Sequence, residues 1–189
     1  MRCFIAIDIP EGIRAELAGL QRELADQVDI RKGDVKWVEP EGMHLTLKFL
    51  GEVPDKQIVE VCNIAKDVAG RYKAFDFAVR ETGSFDGRSA RVLWIGAGLE
   101  CPELLELQQD LEDELADAGW PKEGRQFSGH LTLCRIRNSK AGEKLGELIG
   151  QYKDYDLGTV HADSITVYES QLTGQGPIYT PLGNFKLAD

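Results

Sequence analysis

The sequence predicts one domain in which helices and strands are intermixed and in which the chain divides into two related halves. Three observations support this prediction. Apolar residues alternate with polar ones at the start of the chain, they recur at helical spacing in three longer segments, and the tetrapeptide His-Leu-Thr-Leu occurs twice. A chain of 189 residues is long enough to bury a substantial core without disulfides or metal. We therefore expect residues 1–189 to form a single domain.

The first strand and the first helix follow from two different periodicities. Alternation puts the isoleucines of residues 3–9 on one face and Phe4 and Asp8 on the other, as in a half-buried strand. In residues 11–29 apolar side chains recur every three or four positions with charges between them, which predicts an amphipathic helix.

The rest of the chain continues to mix helices and strands. Residues 35–38 and 43–50 are predicted as the two strands of one hairpin, joined by a turn at Pro40 and Gly42. Further helices are expected at residues 54–70, 103–118 and 141–152, the last weakened by three glycines, and further strands at residues 75–80, 91–95 and 127–136 and in the tail.

Composition and charge narrow the class of protein. The formal charge of −10 argues against a protein that coats long nucleic acid, because such binding depends on Lys and Arg meeting many phosphates. A small basic pocket for one phosphate remains compatible with this charge, since charges beyond about 10 Å are largely screened at moderate salt. The four cysteines are far apart and form no C-x-x-C pair, which favours a reducing cytoplasm. We expect no signal peptide, no membrane span, and a monomer.

The repeated tetrapeptide carries the chemistry. Of the three histidines, His44 and His130 each begin a His-Leu-Thr-Leu string within a strand pattern. Residues two apart share one face of a strand, so each histidine points the same way as Thr46 or Thr132 while the leucines point to the other side. Two imidazoles flanking one phosphorus can act as base and acid near neutral pH, and the threonine hydroxyls can hold the phosphate oxygens.

Two plainer interpretations compete with this one. A single His-x-Thr on a strand usually indicates a structural histidine, but its repetition favours catalysis. A zinc site is a weak alternative, because no third ligand of matching spacing accompanies the two histidines. His161 has no repeated context and is expected to be structural or on the surface. The chemistry needs no metal, and the motif lacks the carboxylate clusters of Mg²⁺-dependent phosphodiesterases, so no metal and no cofactor are expected.

The residues around both tetrapeptides resemble the paired HxTx motifs of the 2H phosphoesterase superfamily. The most similar branch is the RNA 2′,3′-cyclic phosphodiesterases of bacteria and archaea, also called the 2′-5′ RNA ligase family. The resemblance extends along nearly the whole chain, in residues 2–7, 35–38, 43–51, 91–94, 127–135, 165–172 and 176–179.

This resemblance implies an α+β fold of two pseudo-symmetric lobes of antiparallel sheet and helices around a central cleft. It implies hydrolysis of a 2′,3′-cyclic phosphate at an RNA 3′ end, or on a short nucleotide, to a 2′-phosphomonoester. By similarity, His130 is the base that activates water and His44 is the acid that protonates the departing 3′ oxygen. Thr46 and Thr132 then bind the phosphate.

Other candidates for the site carry less weight. Arg135 matches an arginine that often follows the second motif in the family, but it faces the cleft only if a bulge interrupts the alternation. Lys48 shares the parity of the first motif and either lines the cleft or lies on the surface. Phe4 and Tyr168 either stack on a base or belong to the core. Gly129 stands where the family commonly has proline, which predicts a looser start of the second strand. The three tryptophans are assigned to packing.

Two rival functions stay open on sequence alone. Ligation of RNA through a 2′-5′ bond is the same chemistry in reverse, with an RNA hydroxyl in place of water. A non-catalytic RNA or nucleotide binder would keep the fold, although both motifs are intact in this chain.

Overall fold

The computed structural model describes all 189 residues and contains nine strands and four α-helices. In chain order the elements are β1 (Arg2–Asp8), α1 (Glu11–Asp26), β2 (Val35–Trp37), β3 (His44–Glu52), α2 (Ile58–Ala69), β4 (Phe75–Phe85), β5 (Val92–Ala97), α3 (Pro102–Asp117), β6 (His130–Ile136), α4 (Ser139–Ile149), β7 (Asp156–Ala162), β8 (Ser164–Thr173) and β9 (Gly176–Lys186).

The strands form two antiparallel sheets. The first sheet has four strands in the order β3-β1-β8-β9, and the second has five in the order β2-β6-β5-β4-β7. The first His-Leu-Thr-Leu string therefore lies in one sheet and the second lies in the other. The predicted α+β fold with two lobes of antiparallel sheet is confirmed.

The helices are exchanged between the two sheets. Helix α1 follows β1 of the first sheet but packs against β7 of the second sheet, beside α4. Helix α3 follows β5 of the second sheet but packs against β3 of the first sheet and against α2. We call the four-stranded sheet with α2 and α3 the first lobe, and the five-stranded sheet with α1 and α4 the second lobe.

One hydrophobic cluster of 41 buried residues runs through both lobes. Its members include Ile5 and Ile7 from β1, Leu20 from α1 and Leu111 from α3, all nearly inaccessible to solvent. A cluster of three buried residues, Phe4, Ala6 and Tyr168, lies apart from it on the other face of the first sheet. None of the helices is both long and apolar enough to cross a lipid bilayer.

The predicted hairpin of residues 35–38 and 43–50 is wrong. Strand β2 pairs with β6 in the second sheet, whereas β3 pairs with β1 in the first. A 3₁₀ turn at Pro40–Gly42 lies between them, so the chain crosses from one lobe to the other at this point. Local turn signals favoured the nearest pairing, but each strand finds its partner far away in the sequence.

Candidate active site

The two motif strands begin side by side where the lobes meet. His44 is the first residue of β3 and His130 is the first residue of β6. Gly129, directly before His130, packs against the side chain of Leu45, directly after His44: a Cβ at Gly129 would lie 3.6 Å from Cδ1 of Leu45. The structure therefore brings the two predicted histidine positions to the same cleft.

The cleft faces of the two sheets also meet further along the strands. The ring of Tyr179 on β9 lies 5.3 Å from that of His44. Burial raises the pKa of Tyr179, and the guanidinium of Arg135 on β6 partly opposes this rise. A residue of the first lobe thus lies within electrostatic reach of a residue of the second lobe across the cleft.

The same hydrogen bond orients both imidazoles. Nδ1 of His44 lies 3.0 Å from the carbonyl oxygen of Gly42, and Nδ1 of His130 lies 2.9 Å from that of Ser128. A carbonyl oxygen only accepts, so Nδ1 carries the proton in each ring. Nε2 is then the nitrogen left for substrate in both histidines.

A β-bulge interrupts β3 directly after the threonine of the motif. Thr46 lies opposite Ala6 of β1. The next pair joins Lys48 to Ile5, which leaves Leu47 without a partner in the register. A bulge of this kind shifts the alternation by one residue, so that positions after it change faces.

The bulge overturns the prediction that Lys48 lines the cleft or lies on the surface. Lys48 is 3% exposed and points into the core of the first lobe. Its Nζ is 3.0 Å from both carboxylate oxygens of Glu112 on α3 and donates to the carbonyl of Pro121 at 2.7 Å. The carboxylate and the carbonyl compensate a charge that alternation alone would have left in the cleft.

The second motif strand carries the equivalent bulge. Thr132 lies opposite Trp94 of β5, and the next pair joins Cys134 to Leu93, which leaves Leu133 as the extra residue. Cys134 becomes a core residue with no exposed surface, and burial raises its pKa to about 12.

Arg135 lies on the cleft face because of this bulge. Arg135 is exposed. It lies opposite Val92 of β5 and Lys36 of β2, and residues directly opposite each other in neighbouring strands share one face of the sheet. The bulge that Arg135 needs in order to share the face of His130 and Thr132 is therefore present. Lys36, which sequence reasoning did not consider, adds a second exposed cation beside it.

Buried glutamines support both bulges from below. Nε2 of Gln108 on α3 donates to the carbonyl of Leu47 at 3.2 Å, and Nε2 of Gln21 on α1 donates to the carbonyl of Leu133 at 2.9 Å. Both side chains belong to residues less than 8% exposed. Each bulged leucine therefore has a hydrogen-bond donor for its carbonyl, supplied by a helix that the other half of the chain contributes.

His44 lies in a crowded, charged environment. Its side chain is 7% exposed, and its Nε2 lies 3.8 Å from Oδ1 of Asp8. Its ring contacts those of Tyr168 and Tyr179 at centroid distances of 4.7 and 5.3 Å. Burial lowers the pKa of His44; the carboxylate of Asp8 opposes this, and the guanidinium of Arg14 on α1 adds to it. Nε of Arg14 is buried without a hydrogen-bond partner.

Phe4 and Tyr168 pack on each other beside His44. Their rings stack at 5.3 Å with an interplanar angle of 20°, and the two residues are only 5% and 9% exposed. Both rings are therefore buried, but they lie on the face of His44 and apart from the main core. Phe49, which the bulge turns to the cleft face, is 65% exposed and lies next to Phe4.

His130 lies among neutral aromatic side chains instead. Phe85 and Trp94 approach its ring at 5.3 and 6.4 Å, both edge-on. The indole of Trp94 lies over Gly83, where any Cβ would come within 2.3 Å of it. Trp94, assigned to packing from the sequence, therefore borders the cleft, and its Nε1 is buried without a hydrogen-bond partner.

The start of the second motif strand is tightly held, contrary to the looser start predicted from Gly129. The carbonyl of Gly129 accepts a hydrogen bond from the amide of Ala97 at 2.9 Å. A Cβ at this position would lie 2.0 Å from the carbonyl oxygen of Ala97, so only glycine permits this approach of the two backbones. The close approach restrains the chain here without a proline.

His161 lies away from both motifs. It is exposed on the edge strand β7, and its Nδ1 is 2.6 Å from a carboxylate oxygen of Asp76 on β4. The expectation of a structural or surface histidine is confirmed. No group of three or more His, Cys, Asp or Glu side chains is arranged to hold a metal ion.

Sequence reasoning missed several residues of the cleft. Alternation places Asp8 on the same face as Phe4, which is a usable signal. Arg14 has no such signal in the sequence, because its charge comes near His44 only through the placement of α1 in the folded chain. Phe85 has no such signal either, and Tyr179 stands out only through the family resemblance of residues 176–179, because the neighbours of both rings in space are distant in the chain.

The fold and this cleft define a phosphoesterase, with two oriented imidazoles and two hydroxyls on equivalent strands of the two sheets. The sequence model of the family described as LigT-like phosphoesterases matches residues 7–94 and 99–179, so that each matched segment contains one His-Leu-Thr-Leu string. The chain belongs to this family.

Comparison with individual proteins agrees with the family assignment. A protein of Methanothermobacter thermautotrophicus named RNA 2′,3′-cyclic phosphodiesterase is 34% identical over 189 residues, which cover 99% of each chain. The crystal structure of TT0787 of Thermus thermophilus superposes with a TM-score of 0.80 at 27% identity, covering 99% of this chain and 98% of that one. E. coli LigT, crystallised with 3′-AMP, gives a TM-score of 0.74 at 26% identity over 100% of this chain and 98% of its own.

Proposed function

We propose that the protein hydrolyses 2′,3′-cyclic phosphodiester ends of RNA to 2′-phosphomonoesters, with His130 as general base and His44 as general acid and without a metal ion. The observation that carries the proposal is the shared orientation of the two rings. Each donates Nδ1–H to a backbone carbonyl two residues upstream and leaves Nε2 free beside a threonine of its own strand. The name of the relative from M. thermautotrophicus and the 3′-AMP bound to E. coli LigT support an RNA-end substrate.

The reaction follows from two proton transfers. Nε2 of His130 removes a proton from water as the water oxygen attacks the phosphorus. The bond from phosphorus to the 3′ oxygen breaks, and Nε2 of His44 protonates that oxygen. The hydroxyls of Thr46 and Thr132 donate to the non-bridging oxygens as negative charge builds on them. One P–O bond forms and one breaks, and the two imidazoles exchange protonation states.

The charges around the cleft support a small anionic substrate. Arg14, Lys36 and Arg135 contribute positive charge to a protein whose net charge is −10. The field of such a cluster falls off over about 10 Å at moderate salt, which favours a single terminal phosphate over a long duplex.

The decisive experiment is hydrolysis of an oligonucleotide with a 2′,3′-cyclic phosphate end in the presence of EDTA, followed by chromatography. We expect a 2′-phosphate product and a bell-shaped pH profile. His44→Ala and His130→Ala should each lower kcat/KM by about 10² to 10⁴-fold. His161→Ala is the matched control and should leave the rate unchanged, because His161 is exposed and bonded only to Asp76.

Full activity in the double variant of His44 and His130 would overturn the proposal. The product also separates the two rivals that the sequence left open. A binder without activity gives no product after long incubation, and a ligase gives 2′-5′ linked RNA at high concentration of RNA 5′ ends. A cytoplasmic location and a monomeric state stay predictions.

A further inference from the structure

Asp8 is the single carboxylate within 4 Å of either motif histidine. It is the last residue of β1 and lies opposite His44 in the register of the first sheet. Oδ1 of Asp8 is 3.8 Å from Nε2 of His44, beyond hydrogen-bond distance but well within electrostatic reach. No ion pair of this kind accompanies His130, whose ring borders on Phe85 and Trp94.

The carboxylate of Asp8 is held by hydroxyl groups from β8. Oδ1 accepts a hydrogen bond of 2.5 Å from Tyr168, and Oδ2 accepts a longer one of 3.4 Å from Thr166. The amide of Asn184 on β9 donates to the hydroxyl of Thr166 at 2.8 Å, which directs that hydroxyl's own proton to Asp8. Burial raises the pKa of Tyr168, and the hydrogen bond to the carboxylate of Asp8 raises it further. The phenol therefore stays a donor over the working range of pH. The chain therefore fixes a carboxylate beside the acid of the proposed reaction.

Other charged or titratable groups also face His44. Arg14 approaches from α1 and disfavours the imidazolium, as does the burial of the ring itself. Tyr168 from β8 and Tyr179 from β9 contact the ring but stay neutral, because burial raises the pKa of both. The guanidinium of Arg135 on β6 lowers the pKa of Tyr179 and so places a positive charge near the same ring. Asp8 is thus the only side chain around this ring that favours the protonated form.

We infer that Asp8 is a positioning residue that favours a proton on Nε2 of His44 in the free enzyme and so opposes the effects of burial and Arg14. The inference rests on the proposed function, in which His44 must donate that proton to the 3′ oxygen. Without Asp8, burial and Arg14 would lower the pKa of His44 further, so Nε2 would lose its proton at a lower pH. The substrate phosphate adds a second negative charge after binding, but Asp8 acts before it arrives and again after the product leaves.

The test compares the wild type with Asp8→Asn, which keeps the shape and removes the charge. The chain has only three histidines, so the proton NMR titration of each ring can be followed separately. We expect the midpoint of His44 to move to lower pH by about one unit, while His130 and His161 move by less than about a quarter of that. The basic limb of the kcat/KM profile should move to lower pH by the same amount, so that activity falls about tenfold at pH 8 and the loss shrinks steadily as the pH is lowered.

Two further variants guard the interpretation. Asp8→Glu restores a carboxylate and should return both the His44 midpoint and the basic limb toward the wild type. Asp8→Ser is a second neutral variant that should shift them as Asp8→Asn does, and it replaces Asp8→Asn if that protein does not fold. A thermal melt checks each fold, and little change is expected because the carboxyl side chain is 44% exposed.

Two outcomes would overturn the inference. One is a His44 midpoint that does not move in the neutral variants, and the other is a loss of activity that is equal at every pH. Failure of the proposed function looks different. If the wild type leaves cyclic-ended RNA intact but the His44 midpoint still shifts, Asp8 controls the proton of His44 as inferred and the assigned reaction is wrong.

Discussion

The two motif strands share one backbone design and differ in almost everything that surrounds it. Both begin with a histidine bonded through Nδ1 to a carbonyl two residues upstream, and both bulge at the leucine after the threonine. Both bulges receive a glutamine amide from a helix of the other half of the chain. The first strand then continues with Lys48 and Phe49, and the second with Cys134 and Arg135.

The difference teaches how a duplicated framework can give two equivalent histidines unlike surroundings. Carbonyl bonds, bulges and glutamines place an imidazole and a hydroxyl alike in both lobes. The environment then separates the imidazoles, because His44 has a carboxylate nearby and is nearly buried, whereas His130 lies between neutral rings. The backbone geometry is therefore similar on both sides of the cleft, whereas the electrostatic surroundings differ, and the proposed reaction assigns one role to each side.

Substitutions at the fifth position of each motif strand should change the free energy of unfolding by different amounts in the two lobes. Lys48→Met leaves Glu112 buried among donors that do not neutralise it, and we expect a loss of about 3–5 kcal/mol in the free energy of unfolding. Cys134→Ala removes only a buried thiol and should cost about 1 kcal/mol. Denaturant titration measures both.

Two controls frame the comparison of the fifth positions. Lys66→Met changes an exposed lysine of α2 in the same way and should alter stability by less than about 0.5 kcal/mol. Replacing Lys48 by Met and Glu112 by Leu together should recover most of the loss, since an apolar pair can substitute for a buried ion pair. A single variant of Lys48 as stable as the wild type would contradict the role of the ion pair.

The third position of each strand tests whether the symmetry extends to the phosphate. Thr46→Val and Thr132→Val keep the shape and remove one hydroxyl donor, and each should lower kcat/KM by about tenfold to 100-fold. The pH profile should keep its midpoints, because a threonine hydroxyl does not titrate in this range. Thr159→Val, an exposed threonine on β7, is the control and should leave kinetics unchanged. Losses that differ more than tenfold between the lobes would indicate that one hydroxyl alone binds the phosphate.

The sixth position should give smaller and qualitatively different effects. Arg135→Gln removes an exposed cation from the cleft face, and we expect KM to rise about threefold to tenfold at low salt and the salt dependence to weaken. Phe49→Ala removes an exposed ring, and KM should rise by a few-fold with the salt dependence intact. Steady-state kinetics at two salt concentrations separates the two. Equal salt dependence in both variants would show that Arg135 does not contact the substrate phosphate.

The family resemblance implied the two-lobed fold, whereas local patterns predicted most helices and strands and singled out the two motif histidines. Helical spacing set α1 within three residues of its observed end, and the repeated tetrapeptide put His44 and His130 at equivalent places in two strands. Alternation also put Asp8 on the face of Phe4. These are signals of one segment at a time, and a segment carries them by itself.

The remaining features depend on contacts between distant segments. The bulge after Thr46 reverses the side that Lys48 faces, and nothing in the string His-Leu-Thr-Leu announces it. The pairing of β2 with β6 instead of β3 depends on the approach of the two lobes. Asp8 and Tyr168 are 160 residues apart in sequence, so their hydrogen bond was invisible until the sheet was assembled.

The exchange of helices restricts how the molecule can move. Strand β1 continues into α1 through residues 9–10, and β5 continues into α3 through residues 98–101, so each sheet is tied by a short connector to a helix packed beneath its neighbour. Hinge motions need loop residues that absorb large changes in backbone angles, and these connectors leave few of them. Prying the sheets apart would pull each helix out from under the opposite sheet. The width of the groove is accordingly set by chain connectivity, and we expect the two sheets to keep their spacing when a ligand binds between them.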